Sequence, residues 1–308
     1  MPLDLSVIIV NWNGGRFLEV CLESILRETS RLDGEVIVVD NASTDGSRDR
    51  VKRKFPEVKV ISNRENLGFS KGNNIGIQQS SGEFICLVNS DVEIVEGSVG
   101  SMLEYMRNHP EVGMMGPKVL SPDLKIAPSC RSFPNLWSHF CRILALDRIF
   151  TGSMKNDRMR RVDVLFGIFW LLRRGALESA GLLDEDFFMY GEDMDLCKRF
   201  REGGWEIIYF PAASIVHYGG GSSESDPMRF YLEKQKSDFL YWKKYHNRLS
   251  QALYLLMMFA QQGFRFLCWS LLSGVPLGET GRDSLGFKMR RSLMAMRFCL
   301  GLLCRRSG

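Results

Sequence analysis

Residues 5–10 (Leu-Ser-Val-Ile-Ile-Val) and 35–40 (Glu-Val-Ile-Val-Val-Asp) are short β-branched runs, each ending in a polar loop. That is the pattern of parallel strands covered on both faces. Between them Phe17, Val20, Cys21, Ser24 and Ile25 recur at helical spacing, which predicts a helix over 17–28. A second helix is expected from Thr44 or Asp45 to about Lys54, a third strand over 58–62, a helix over 68–80 and a fourth strand over 83–88. Such a βαβαβαβ series predicts an open, doubly wound sheet, which binds ligands at the carboxyl ends of its strands.

Beyond Val112 the pattern turns irregular, and Pro117, Pro122, Pro128 and Pro134 punctuate loops and short strands. Residues 139–162 are basic and weakly patterned, so a loop or mobile insertion is expected there. A strand over 164–173, helices over 174–180 and 192–202 and a strand over 206–210 follow. Residues 231–245 read as a polar, aromatic and basic helix, and 249–272 as a strongly apolar one interrupted by Gln261, Gln262 and Arg265. A spanning helix needs about 20 predominantly apolar residues, and an arginine near its middle is costly. A helix lying in the membrane interface is therefore expected, followed by a basic amphipathic tail carrying Arg282, Lys288, Arg290, Arg291, Arg297, Arg305 and Arg306. The alternative is that these helices pack on the core or on a second copy of the chain. The division expected is a domain over 1–230, with a nucleotide-binding half (1–115) and an acceptor half (116–230), and a helical extension over 231–308.

Composition narrows this modestly. With 308 residues, 45% of them hydrophobic, the chain buries a full core, and a net charge of +4 gives no reason to expect nucleic acid as a partner. The eight cysteines form no CxxC pair and no zinc-ligand spacing, which suits reduced thiols in the cytosol. The chain enters a strand at once, over residues 3–10, without a basic leader, so no signal peptide is expected.

Five stretches carry candidate chemistry. Asn89-Ser90-Asp91 follows the apolar strand 84–88, and a carboxylate at a buried strand end faces the ligand crevice. A hard divalent cation shared with a diphosphate needs only one or two such carboxylates, so Asp91 is a candidate metal ligand; a cap on the next turn is the alternative. Asp40 ends the second strand, where an acid can accept hydrogen bonds from a ribose or base, and Asp45 is expected to cap the helix that follows. The Gly- and Asn-rich stretch from Asn66 to Gly76 suits close backbone approach to a nucleotide, with Lys71 as a donor. Gly191-Glu192-Asp193-Met194-Asp195 opens a helix, where acids are favoured by the macrodipole but are also suited to act as a base in a partly apolar setting. His217, before Gly219-Gly220-Gly221-Ser222, is placed to reach a metal or a phosphate.

In order along the chain, Val7-Ile8-Ile9-Val10-Asn11-Trp12-Asn13, Val38-Val39-Asp40-Asn41-Ala42-Ser43-Thr44-Asp45-Gly46, the Asn66–Gly76 stretch, Asn89-Ser90-Asp91, Phe188-Met189-Tyr190-Gly191-Glu192-Asp193-Met194-Asp195-Leu196 and His217-Tyr218-Gly219-Gly220-Gly221-Ser222 resemble glycosyltransferase family 2, in its rhamnosyltransferase-like branch. The resemblance covers roughly residues 3–245. It implies an α/β GT-A fold, Rossmann-like, with a mostly parallel central sheet flanked by helices, and a C-terminal helical extension that associates with a membrane. By the same resemblance Asn89-Ser90-Asp91 stands for the DxD motif, with Asp91 and His217 holding Mg²⁺ or Mn²⁺ against the donor diphosphate. Asp193 is the general base, and Asn11, Asp40, Asn66, Gly68, Lys71, Asn74 and Ser90 lie on the nucleotide side. Arg131, Gly167 and Glu192 lie on the substrate side.

The activity implied is inverting transfer of one sugar from dTDP-rhamnose or a UDP-sugar to a hydroxyl of a glycan or lipid-linked glycan. It would take place at the cytoplasmic face of the cell membrane, by a peripheral protein, with pairing of two copies through the C-terminal helices as a further expectation. Processive synthases of similar sequence carry a Gln-x-x-Arg-Trp element and several spanning helices, and this chain has neither. A nicotinamide-dependent oxidoreductase is excluded by the loop Asn11-Trp12-Asn13-Gly14-Gly15, which is not G-x-G-x-x-G. A sugar nucleotidyltransferase would want a Gly-rich basic loop there, and a non-catalytic membrane scaffold would not need Asp91, Asp193 and His217.

Overall fold

A computed structural model of the chain describes residues 3–30, 32–143, 157–219, 226–273 and 279–304. These fall into two compact units. The first comprises 1–133 with 153–225, and the second 134–152 with 226–308.

The first unit begins with β1 (Leu5–Asn11), α1 (Gly15–Thr29), β2 (Gly34–Asp40), α2 (Ser47–Lys54), β3 (Lys59–Ser62), α3 (Gly68–Gln78) and β4 (Phe84–Asn89). The order β3-β2-β1-β4 is parallel throughout, with Leu5 opposite Gly34 on one side and Phe84 on the other. The two faces of β1 explain its alternation. Leu5, Val7 and Ile9 share one core with Leu18, Cys21, Leu22 and Ile25 of α1, the i, i+3, i+4, i+7 stripe of an amphipathic helix. On the opposite face α3 packs so closely that a Cβ at Gly76 would strike Ile8, and one at Gly72 would lie 2.9 Å from Val10. The glycines of this helix therefore serve helix–sheet packing.

The sheet then departs from the parallel pattern. After the turn at Ser90-Asp91 come β5 (Val92–Ile94), α4 (Ser98–Asn108), β6 (Val112–Leu120), β7 (Cys130–Arg131), β8 (Arg160–Arg161), β9 (Val164–Leu165) and β10 (Phe169–Arg173). The expected single strand over 164–173 is thus two, with Phe166-Gly167-Ile168 turning between them. β10 inserts antiparallel between β4 and β6. The unit closes with α6 (Arg174–Ala180), α7 (Glu192–Glu202) and β11 (Glu206–His217), while α5 (Leu136–Ile143) belongs to the second unit. β11 runs seven residues past the expected end at Phe210. It pairs parallel with β6, shifts register between Phe210 and Ser214, and ends antiparallel to β5. The result is a nine-stranded mixed sheet flanked by helices, parallel over β3-β2-β1-β4.

The second unit is helical: α5 with α8 (Pro227–Tyr245), α9 (Arg248–Leu272) and α10 (Glu279–Cys304). Residues 139–143, expected as the start of a loop, belong to a helix over Leu136–Ile143 started by Asn135, whose Oδ1 accepts from Ser138 N at 2.8 Å. The rest of that stretch up to residue 156 lies outside the described residues. Phe239, Trp242, Tyr254, Leu255, Met258 and Cys299 form the unit's core, with Leu136 packed against it. Among the described residues, α9 is the helix long and apolar enough to cross a membrane. Gln251, Tyr254, Leu255, Met258 and Gln262 face inward, and Gln251 donates to the carbonyls of Lys243 and His246. Leu249, Leu253, Leu256, Phe264, Leu267 and Leu271 face outward and are exposed. The glutamines that interrupt the sequence run thus leave this outward stripe apolar.

Candidate active site

In the order β3-β2-β1-β4 the direction of winding reverses between β1 and β4, and such a switch point opens a crevice beyond the strand ends. The loops that border it here are Asn11–Gly14 and Asn89–Asp91. They lie close together, since a Cβ at Gly14 would sit 3.3 Å from Ser90 Oγ. Asn13 and Ala42 adopt left-handed backbone conformations just past β1 and β2, as does Tyr190 just before α7. Non-glycine residues in this region are uncommon, and they concentrate at ligand sites.

One rim of the crevice is organised by Asn11 and Asp40. Asn11 Nδ2 donates to Asp40 Oδ1 at 2.8 Å and to the hydroxyls of Ser43 and Ser47, while its Oδ1 accepts from Gly14 N. Asn11 is buried, with both ends of its amide engaged, and it joins the β1 and β2 loops at the place where a nucleotide contact is expected. Asp40 Oδ2 accepts from Ser43 N, and each carboxylate oxygen keeps a lone pair beyond these bonds. Asp45 accepts from Ser47 N and from Gly15 N, a bond that ties α2 to the start of α1. Ser43 is readable in the sequence only as one of several candidate caps with Thr44 and Asp45, and Ser47 had no individual signal, because their bonds to Asn11 depend on the neighbouring strand.

The asparagines of α3 also have structural employment. Asn74 Nδ2 donates to Leu183 O and Glu185 Oε1, and its Oδ1 accepts from Leu183 N. Asn74, expected on the nucleotide side, thus clamps the loop before α7. Asn66 Oδ1 accepts from Gly68 N and Asn41 Nδ2, forming the turn that starts α3. Gly68 is required there because its φ is +83° and a Cβ would strike Phe188 O. It too serves packing. Lys71 remains at the surface, 3.9 Å from Glu185.

Asp91 and His217 come together through β11. Register places His217 opposite Val92, and the result is a 3.3 Å approach of His217 Nε2 to Asp91 Oδ1. Tyr218 braces the end of this strand: its N donates to Asp91 O, its hydroxyl donates to Glu93 Oε2, and its ring stacks on Phe17. Glu93 and Phe17 were not singled out in the sequence. Their only signal was proximity to Asp91 and to the β1 loop. Among the described residues no group of three His, Cys, Asp or Glu side chains is arranged to hold a metal ion. The Asp91–His217 pair supplies one oxygen and one nitrogen, which fits a divalent ion that takes its other ligands from a diphosphate and water.

A second cluster gathers Arg131, Gly167, Glu192 and Asp193, four residues separated by up to 62 positions. β7 pairs with β9, setting Arg131 opposite Val164, and Asn89 N donates to Ile168 O, which ties this cluster to the end of β4. Arg131 Nη2 donates to Asp193 Oδ2 at 3.0 Å and to Oδ1 at 3.3 Å, and its guanidinium lies over the Phe166 ring. Met194 N donates to Asp193 Oδ1 at 2.8 Å. Glu192 is buried against Gly167, and a Cβ there would be 3.4 Å from its Oε1. Burial, and next the charge of Asp193, push its carboxyl up to about 8. Asp195 is set apart by Arg199, which grips it at 2.8 Å and donates to Ala180 O, Gly181 O and Leu182 O. That ion pair holds the loop before α7 in place.

Residues 6–181 match the model of the family described as Glycosyl transferase family 2. An N-acetylglucosaminyl-diphospho-decaprenol L-rhamnosyltransferase of Mycobacterium tuberculosis is 29% identical over 262 residues, covering 79% of this chain and 85% of that protein. A low-salt glycan biosynthesis hexosyltransferase of Haloferax volcanii is 27% identical, covering 70% of this chain and 67% of its own. Among solved structures, GalNAc-T7 with UDP, GalNAc and Mn²⁺ aligns with a TM-score of 0.55 at 13% identity, over 78% of this chain and 50% of that one, a likeness of fold.

Proposed function

The chain belongs to glycosyl transferase family 2, and on that premise we propose that it is an inverting, metal-dependent glycosyltransferase moving one sugar from dTDP-rhamnose or a UDP-sugar to a hydroxyl of a lipid-linked glycan. The observation that carries this reading is the pairing of two clusters about the end of β4. Asp91 and His217 lie on one side, and Arg131, Glu192 and Asp193 are tied to the same strand end through Asn89 and Ile168.

Asp193 serves as the base that takes the proton of the incoming hydroxyl, and direct attack opposite the leaving group inverts the anomeric carbon. Arg131 orients that carboxylate, and Gly167 leaves room beside it. Ser90 and Lys71 face the diphosphate, and Asp40 meets the nucleoside with its remaining lone pairs. Asp91 and His217 would hold Mg²⁺ or Mn²⁺, whose chemistry is to neutralise charge developing on a leaving diphosphate. A single displacement needs one base, and the other two acids of the motif have separate surroundings. The acceptor class rests on the mycobacterial relative, whose name specifies a diphospho-decaprenol carrier. A peripheral position on the cytoplasmic membrane face fits that acceptor and the apolar outward stripe of α9.

The test is transfer and nucleoside-diphosphate release by the full chain with Mn²⁺ or Mg²⁺, a panel of nucleotide sugars and a polyprenyl-diphosphate acceptor. Asp193→Asn is expected to lower turnover by about 10²- to 10⁴-fold with donor binding retained, and Asp91→Ala to weaken metal-dependent donor binding. Full activity in both variants would sink the assignment.

A further inference from the structure

His217 stands at the very end of β11. The last register pair of β11 with β5 sets it opposite Val92, and residues at a strand end open more readily than those inside a sheet. An imidazole that holds a metal ion is normally fixed by a bond from its second ring nitrogen to a carboxylate or a carbonyl. Among the described residues His217 makes no such bond, and its polar neighbour is Asp91, 3.3 Å from Nε2. The place of the ring therefore depends on the backbone to either side of it. Beyond Tyr218 the sequence continues with Gly219-Gly220-Gly221, which carry no side chain to serve as an anchor.

Tyr218 supplies that anchor. Its N donates to Asp91 O at 2.9 Å, which extends the β11–β5 pairing one residue past His217 and reaches the residue whose carboxylate faces the imidazole. Its hydroxyl donates to Glu93 Oε2 on β5, a bond to a charged acceptor and so stronger than one between neutral groups. Its ring stacks on Phe17 of α1, with centroids 5.1 Å apart. These contacts use no side-chain atom of Asp91 or His217, so the oxygen and nitrogen of the pair stay available to an ion.

Resting on the metal-dependent transferase reading, we propose that Tyr218 is a positioning residue for the Asp91–His217 pair, holding the end of β11 closed through Asp91 O, Glu93 and Phe17 so that one divalent ion can bridge the two side chains. Tyr218 itself touches neither the ion nor a sugar. It orders His217 before the ion arrives, and ordering completed in advance does not subtract from the affinity. Glu93 is the acceptor this role requires, and Phe17 carries the same constraint into α1.

The readout is the factor by which saturating Mn²⁺ tightens binding of UDP or dTDP to the full chain, measured by equilibrium dialysis. Tyr218→Phe keeps the ring stack and the backbone bond and loses the hydroxyl. It should cut this factor by about tenfold, the effect of one hydrogen bond to a charged group, and leave metal-free binding unchanged within about twofold. Glu93→Ala should match it, and Glu93→Gln, whose amide oxygen still accepts from the tyrosine, should recover most of the loss. In a His217→Ala background Tyr218→Phe should change the factor by less than about twofold, because its effect passes through the imidazole. An equal factor in wild type and Tyr218→Phe overturns the proposal, and so does a second full loss in the His217→Ala background, the mark of a general loosening of the fold. Hydrogen exchange of the Tyr218 amide without metal reads the anchor by itself. Protection should fall by about tenfold in Tyr218→Phe, and an amide already unprotected in wild type overturns the proposal. A wild-type chain whose Tyr218 amide is protected but whose nucleotide binding ignores Mn²⁺ defeats the metal reading, and the positioning role with it.

Discussion

His139 is a sensitive test of whether the segment after Phe133 is a packed part of the helical unit. It sits on α5, buried, with its ring 4.8 Å from that of Tyr254 and its Nε2 without a hydrogen bond among the described residues. Burial first, and the neighbouring charge of Arg142 second, push its pKa down from 6.5 to about 4, against a smaller opposing effect of Asp238. The sign follows from proton counting. Between pH 6.5 and 4 the unfolded segment binds a proton that the folded one refuses, so the full stability is present above 6.5 and is lost progressively as pH falls towards 4. At about 1.4 kcal/mol per pH unit, the whole window amounts to about 3 kcal/mol. Hydrogen exchange of the Leu136–Ile143 amides, corrected for intrinsic rates, reads this locally. Protection should fall by about 40-fold from pH 6.5 to 4.5 in wild type, and His139→Phe, which keeps a ring beside Tyr254, should lose most of that pH dependence. Protection equal at both pH values in wild type, or an undiminished pH dependence in His139→Phe, would refute the packing argument.

Two further outcomes are expected. Gly68→Ala forces a side chain into a left-handed conformation against Phe188 O and should cost about 2 kcal/mol or more, seen as a Tm lower by about 5 °C; Gly175→Ala, where a Cβ meets nothing within 4 Å, should change it little or raise it. Replacing Leu256 and Phe264 together by Glu removes two residues of the exposed α9 stripe and should reduce co-sedimentation with anionic lipid vesicles by more than about tenfold; equal sedimentation would place the stripe elsewhere than at a membrane.

The parallel half of the sheet was legible in the sequence because its strands are buried on both faces, and continuous β-branched runs are the direct consequence of that burial. α1, α6 and α7 were read nearly to their ends, since amphipathic spacing and a following glycine are local properties. Asp91, Asp193, Glu192 and Arg131 were recognised one by one. Their grouping was not, because an ion pair across 62 positions depends on β7 finding β9. Asn11, Gly68 and Asn74 were placed on the nucleotide side by the resemblance, and the structure shows a packing role for each. Asn11 joins two loops, Gly68 admits a carbonyl, and Asn74 clamps a loop more than a hundred residues away. In the helical unit the apolar content of α9 was plain, but the sequence could not say which face was free. Periodicity identifies an amphipathic face; only the partners packed on Tyr254, Leu255 and Met258 leave the leucine stripe uncovered. Composition and spacing thus determined the elements and the kinds of chemistry present, because these are set within a few residues along the chain. Tertiary structure alone decided which acid is paired, which keeps a free oxygen and which apolar face meets the surroundings, because each depends on a neighbour distant in sequence.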